Sequence, residues 1–199
     1  MVTASFAVVL PDEPVPVRLM NTIWADRNGV YDALTTSRDL RAWLAGAYPD
    51  DKIRGADLAR FRALRDALRR LAALLTGDDR PAAASATTGV GRAVAAVNEA
   101  AALAPSRPQL VLRGGELRLA PTGAAPTGDR LLTAIAHEAI ALFTGDDRAE
   151  IRACHAPGCV LYFVRDHPRR AWCSTACGNR ARVARHYERH HGKAAADER

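Results

Sequence analysis

The first 153 residues of this 199-residue chain contain no cysteine. The four that exist, Cys154, Cys159, Cys173 and Cys177, crowd into one short window near the other end, spaced C-x4-C, thirteen residues, then C-x3-C. Long apolar runs are missing as well. No stretch approaches the roughly 18 to 20 uninterrupted apolar residues of a membrane span, and the N-terminus has neither the basic start nor the apolar core of a signal peptide. A cytoplasmic protein is expected, in a compartment that keeps thiols available to metal instead of pairing them as disulfides. Catalytic signatures are also absent. His137-Glu138 is followed by Ala141 where a metalloprotease helix needs a second histidine, and Gly89-Val90-Gly91-Arg92 lacks the third glycine and preceding strand of a dinucleotide site. With no nucleophile, base and orienter in evidence, the expectation is a protein that is not an enzyme.

What is there is two close cysteine pairs joined by a hairpin-sized segment. Two turns can then each present a pair of thiolates to one tetrahedral ion, the geometry of structural Zn²⁺. Three cysteines completed by His155 or His167, and an iron–sulfur cluster, are the alternatives. Four thiolates leave no open position for water, so the metal is read as structural. A domain of this size is too small to fold on its apolar core, and metal binding should supply much of its folding energy.

Charge is distributed as unevenly as cysteine. Residues 1–153 hold 19 Lys+Arg against 18 Asp+Glu, whereas residues 154–199 hold 9 against 4. A local basic excess is what a nucleic-acid surface needs, because phosphate neutralisation supplies most of the affinity; solvation of an Arg-rich small domain is the plainer reading.

Along the chain, Phe6 to Leu10 reads as a strand before Pro11, Pro14 and Pro16, and 17–25 as a short helix or strand. Thr36 and Ser37 can cap a helix from about Arg38 to Ala47. Leu58, Phe61, Leu64, Leu68, Leu71 and Leu75 form a stripe at helical spacing. Arg62, Arg65, Asp66, Arg69 and Arg70 are assigned to the opposite, solvated side, with Arg62, Asp66 and Arg70 pairing four apart. An Ala-rich helix is expected over 90–103, a hairpin about Gly114-Gly115 joining 109–113 to 116–120, and a buried helix over 128–143. Thr-Gly-Asp-Asp-Arg occurs twice, at 76–80 and 144–148. Each copy follows an apolar helical end, and Gly77 and Gly145 are both expected to close a helix in the left-handed conformation.

In the cysteine region, 160–164 is strand-like and 171–172 leads into Cys173, which suggests a hairpin between the pairs. A helix is expected from near Cys173, its N-terminus favouring thiolate. Tyr162, Phe163 and Trp172 are assigned to the core, and Val183 and Tyr187 to packing on the hairpin. Arg182, Arg185 and Arg189, with His186 beside them, make a basic edge.

The steps Trp172-Cys173-Ser174 and Cys177-Gly178-Asn179-Arg180, ahead of a basic helix, resemble the CGNR zinc-finger family. In that family the finger usually follows an ABATE domain, found in bacterial proteins regarded as stress-responsive transcription regulators. Leu19 to Leu44 looks like the opening of that domain, through Asn21-Thr22, Ser37-Arg38-Asp39-Leu40 and Trp43-Leu44. One departure is the spacing of the last cysteine pair, where family members often carry one more residue. The resemblance implies an α+β fold: a mainly helical N-terminal domain with a small β-hairpin over 1–148, a treble-clef-like zinc finger over 149–192, and a flexible tail over 193–199. It implies a DNA-binding transcriptional regulator holding one structural Zn²⁺ on Cys154, Cys159, Cys173 and Cys177. Double-stranded DNA would be met by Arg180, Arg182, Arg185, His186 and Arg189, with bracing of the finger's backbone as the alternative for Arg180. The N-terminal domain would sense a small-molecule effector, with Asn21, Trp24 and His137 as candidate pocket residues, or form a homodimer. The alternative is a zinc-scaffolded module that binds protein or RNA without reading a DNA sequence.

Overall fold

The computed structural model describes residues 10–49, 51–105, 108–121 and 125–197, so the expected strand at Phe6 to Leu10 lies outside the described residues apart from Leu10. Helix α1 (Val15–Met20) carries Pro16 in its first turn, where a missing N–H costs nothing. Asn21 ends it, and strands β1 (Ile23–Asp26) and β2 (Gly29–Asp32) follow as an antiparallel hairpin. The single element expected over 17–25 is therefore two. The split is local chemistry: Asp26 accepts from the Asn28 N–H at 2.7 Å, turning the chain at Arg27-Asn28.

Helix α2 (Ser37–Ala47) begins with a capping box. The Asp39 N–H donates to the Thr36 hydroxyl at 3.2 Å, and the Thr36 N–H donates to the Asp39 carboxylate at 2.8 Å. Such a cap contributes about 1 kcal/mol. Helix α3 (Leu58–Thr76) is capped by Asp57 and closed by Gly77 at φ 63°. Helices α4 (Val90–Ala102) and α5 (Thr127–Thr144) complete the helical layer. Helix α4 packs on both α3 and α5, and α1 lies across α3 and α5. Between α4 and α5 the hairpin β3 (Pro108–Arg113) and β4 (Glu116–Pro121) turns at Gly114 and Gly115, both at positive φ. Two successive positive φ values make a type I′ turn, whose twist suits the strands.

The α3 stripe packs as expected at Phe61, Leu64 and Leu68, while Leu75 at its end is exposed. The opposite-face assignment fails for two arginines: Arg65 and Arg69 are buried. Nor do Arg62, Asp66 and Arg70 pair along the helix. Arg62 and Arg65 converge on Asp32 of β2, at 2.8 and 2.6 Å, Asp66 takes Arg65, and Arg70 donates to the Thr88 carbonyl. For Arg62 the tertiary carboxylate of Asp32 outcompetes the i, i+4 partner, because a pair held by packing needs less side-chain ordering than one on a free helix surface.

The C-terminal part has strands β5 (Ile151–Ala153) and β6 (Tyr162–Val164) and helix α6 (Thr175–Asp197). Its hairpin encloses the first cysteine pair at its tip instead of lying between the two pairs. Residues 171–172 are not strand. Helix α6 continues through Asp197, past the boundary at 192, because nothing between Lys193 and Asp197 interrupts it and three alanines favour helix.

Strand alternation divides β6 and the residue before it between two cores. Tyr162, with Ile151 and Ala153, joins the helical core. Leu161 and Phe163 face the other way and pack with the four cysteines, Trp172, Leu10 and Trp24. The molecule is thus α+β, with the cysteine hairpin built into the helical layer.

Candidate metal centre and basic helix

The four cysteine sulfurs lie within 4.8 Å of one another, and all four residues are buried. Cys159 and Cys173 are 3.8 Å apart, and Cys173 and Cys177 are 3.3 Å apart, with no disulfide. Four thiolates around one Zn²⁺ at about 2.3 Å would stand about 3.8 Å from each other, so the cluster has the size the ion requires. Electrostatics agree. Hydrogen bonds from Cys159 and Cys173 hold Cys154 far below the usual thiol range, while the contact with Cys154 pushes Cys159 and Cys173 upward. One thiolate opposes the next, and only a cation lets all four ionise. The donor set therefore fits one structural zinc. The ion would tie the β5–β6 tip to the first turns of α6, since Cys177 lies in α6 and Cys173 just before it.

The helix start is built for this. Gly178 lies under Trp172, whose ring carbon would be 3.0 Å from any added Cβ. The Cys177 N–H donates to the Ser174 hydroxyl at 3.3 Å. Arg180 donates from Nη2 to Cys177 Sγ at 3.0 Å. A guanidinium on a metal thiolate offsets its negative charge and orients the ligand, the usual task of an outer-shell group. Arg180, expected either at DNA or as a brace of the finger, thus bonds a cysteine ligand while its residue stays exposed.

The remaining members of the basic edge point outward. Arg182, Arg185, His186 and Arg189 are exposed on α6. Arg182 donates to Asn179, and Arg185 and Arg189 each reach the carbonyl four residues back. Val183 and Tyr187, expected against the hairpin, are exposed at 69% and 61%. The hairpin's apolar side is already filled by the helical core and the cysteine cluster, which leaves the outer face of α6 uncovered.

Beneath the cysteines lies a polar clasp. Arg69, 1% exposed, donates to the carbonyls of Met20 and Ala83, and both Nη1 and Nη2 reach the Val160 carbonyl. Its guanidinium also stands 5.3 Å from the Tyr162 ring centre. Arg80 grips the knuckle itself, donating from Nη1 to the carbonyls of Cys154 and Cys159 at 2.6 Å each. Asp78 holds Arg80 through three further bonds, two from the guanidinium and one from the backbone N–H, and accepts from the Tyr162 hydroxyl at 3.0 Å. Glu13 accepts from the Val164 N–H and from Arg170, whose guanidinium stacks over Phe163 at 4.9 Å.

Sequence reasoning missed Asp78, Arg80, Arg69 and Glu13. A signal was available for Arg69: it sits one position after Leu68 and eight after Phe61, beside the apolar stripe and not across from it. The three candidate pocket residues do not converge. Asn21 is buried and pairs with the Tyr162 backbone as a strand would, donating to its carbonyl at 2.8 Å and accepting from its N–H at 3.0 Å. Trp24 packs on the cysteine cluster and stacks on Tyr31. His137 is exposed on α5.

Residues 150–190 match the CGNR zinc finger. Residues 13–146 match ABATE, a family described as "Putative stress-induced transcription regulator". No curated protein matches the chain. The first match begins at Glu13, the residue that reaches across to Val164, and spans most of the sequence: the chain belongs to the ABATE family and ends in a CGNR zinc finger.

Proposed function

We propose that this regulator-family protein binds duplex DNA through the exposed face of α6, with the zinc finger fixing that helix and the ABATE domain controlling its presentation. The observation that carries the reading is the sorting of arginines. Arg69, Arg80 and Arg170 are consumed by the clasp and Arg180 bonds a cysteine ligand, whereas Arg182, Arg185 and Arg189 are exposed within two helical turns and bond within their own helix. Among the described residues none of these three is ion-paired. Arginines spaced three and four apart on one helix face suit successive phosphates or base edges in a groove. Zinc supplies no reaction in this reading; it holds four thiolates together. The chain is accordingly proposed to be a non-enzyme, because four sulfur ligands leave no site for an activated water. Action in the cytoplasm is part of the same reading, and no helix among the described residues is long and apolar enough to cross a membrane.

A small effector would find a cleft of about 270 Å³ between α3, α4 and α5, lined by Arg60, Glu99, Leu103 and Leu132. The test of the main reading is selection of genomic fragments by zinc-loaded protein at near-physiological salt. An enriched common sequence supports a specific regulator. Replacing Arg182, Arg185 and Arg189 by Ala should retain zinc, weaken DNA binding and lower the salt slope by about one for each phosphate no longer neutralised. Recovery of fragments without enrichment, with the triple variant unchanged, would favour the alternative of a zinc-scaffolded module for RNA or protein.

A further inference from the structure

The hairpin between α4 and α5 is not explained by the clasp, the metal or α6. Leu110, Leu112 and Leu117 are exposed at 69%, 69% and 70%. Strand register sets Leu112 opposite Leu117, and Leu110 lies two residues from Leu112, so the three share one face. Val111, on the other face, is half-buried. A lone two-stranded hairpin is marginal in water, and an apolar sheet face beside an open edge invites a further strand.

We propose that a second copy of this chain supplies that strand, pairing β4 with β4 about a two-fold axis at Leu117. The choice of edge follows from backbone and charge. In a hairpin with a two-residue turn, the residues flanking the turn, Arg113 and Glu116, bond each other, so alternation leaves the Leu117 N–H and C=O on the outer edge of β4. Antiparallel pairing centred on Leu117 exchanges those groups between copies. It also sets Glu116 of each copy opposite Arg118 of the other, making two cross-strand ion pairs from residues that otherwise pair within one strand at 2.7 Å. Centring on Leu119 would set Arg118 against Ala120 and lose both pairs. The outer edge of β3 offers only Arg113 as a charge, with no acidic residue to meet it. The two-fold at Leu117 joins the leucine faces of both hairpins across a four-stranded sheet.

The location suits a regulator. The hairpin precedes the N-terminus of α5 and the finger follows its C-terminus, 18 residues or about 27 Å away along the helix. Pairing at one end leaves both α6 faces open at the other. The proposal does not depend on DNA recognition and is tested without DNA.

The experiment is the solution mass of the full zinc-loaded chain, measured by light scattering over a range of concentrations. The wild type should approach twice 21.4 kDa. Glu116→Arg alone sets Arg against Arg across the axis, Arg118→Glu alone sets Glu against Glu, and each should lose the dimer. Mixing the two single variants restores opposite charges at both positions and should recover a heterodimer, which repair within a single strand cannot achieve. A wild type that stays monomeric, whether its leucines are covered by its own N-terminal residues or by nothing, overturns the proposal. So does a dimer that both single variants retain, or a mixture that stays monomeric.

Discussion

The same five residues, Thr-Gly-Asp-Asp-Arg, end two helices of this protein and do different work. After α3 they form the grip on the metal knuckle; after α5 they form a surface turn. Both copies share their first bond, a threonine hydroxyl donating to the carbonyl four residues back at 2.8 Å, Thr76 to Ala72 and Thr144 to Ile140. They diverge at the glycine. Gly77 is left-handed, whereas Gly145 has φ −77° and ψ −176°, ordinary extended backbone, contrary to the symmetric expectation. They diverge further at the arginine. Arg80 precedes Pro81, which disfavours helix at the residue before it, and Arg80 is extended at φ −63° and ψ 125°. Arg148 precedes Ala149 and stays within a 3₁₀ turn over Asp146–Glu150. Asp78 and Arg80 turn inward to Tyr162, Cys154 and Cys159, while Asp146, Asp147 and Arg148 are exposed. A local motif fixes how a helix stops; the residue after it decides where the side chains go.

Removing the metal should separate the two copies most. With zinc chelated, or with Cys173→Ser, the knuckle should open and Arg80 should lose its two carbonyls. The metal's contribution to such a small domain is on the order of 10 kcal/mol. Hydrogen exchange should show protection lost through 151–164 and around 77–83 and kept near the end of α5. Equal opening at 144–148 would show that the second copy also reports the metal. Because Tyr162 and Ile151 belong to the helical core, the end of α3 should loosen with the finger.

Next in size is the arginine pair. Arg80→Ala removes both bonds to the knuckle and leaves the Asp78 carboxylate, whose side chain is fully buried, without its cation. A loss of about 2 to 3 kcal/mol is expected, below the value for a fully buried pair because Arg80 retains 23% exposure. Arg148→Ala should change stability by less than about 0.5 kcal/mol, as surface substitutions do. Denaturant midpoints of the zinc-loaded variants measure both; similar losses would put the second copy in the fold's support.

The cysteine cluster was legible because its chemistry is local: four thiols in a short window leave few alternatives. The long helices were legible from periodicity, and the β3–β4 turn from Gly114-Gly115. The clasp was not, because its partners are far apart in sequence, such as Asn21 with Tyr162 and Glu13 with Val164. Charge also misled. Residue type alone sends the arginines of α3 to solvent, yet carbonyls left over at a helix end and in the loop at Val160 make a buried site for Arg69. At Arg180 the signature residue was visible but its direction was not, since one helical turn separates a thiolate contact from a solvent-facing arginine.

A smaller effect concerns acid. Burial raises the Asp78 carboxyl, but hydrogen bonds from Arg80 and Tyr162 outweigh it and leave the group below its ordinary value. A carboxylate with a depressed folded pKa contributes stability that is complete above its unfolded value of about 4 and disappears as pH falls through the folded one. Asp78→Asn should therefore flatten part of the stability loss between about pH 5 and 3. Asp146→Asn, which changes an exposed residue outside the clasp, should leave the slope as it is. Zinc release is followed in the same titrations with a chelating dye and separated from unfolding, so the remaining difference between the curves is the measurement. Identical curves would remove Asp78 from the ionic part of the clasp.

The glycines give the finest separation, because the two sites resist a side chain for different reasons. At Gly77 an added Cβ meets nothing within 4 Å, and the penalty is only that of φ 63°. Asparagine visits that conformation readily and alanine does not, so Gly77→Ala should cost about 1 kcal/mol and Gly77→Asn a few tenths. At Gly145 the backbone suits any residue, but a Cβ would stand 2.8 Å from the Ala141 carbonyl oxygen. That clash is the same for every side chain, so Gly145→Ala and Gly145→Asn should be destabilised alike. The readout is the Ala-to-Asn difference at each site in thermal midpoint: an appreciable gap at 77 and none at 145. A gap at 145 as large as that at 77 would mean that the second glycine also takes the left-handed turn, and the copies would then differ only from the aspartates onward.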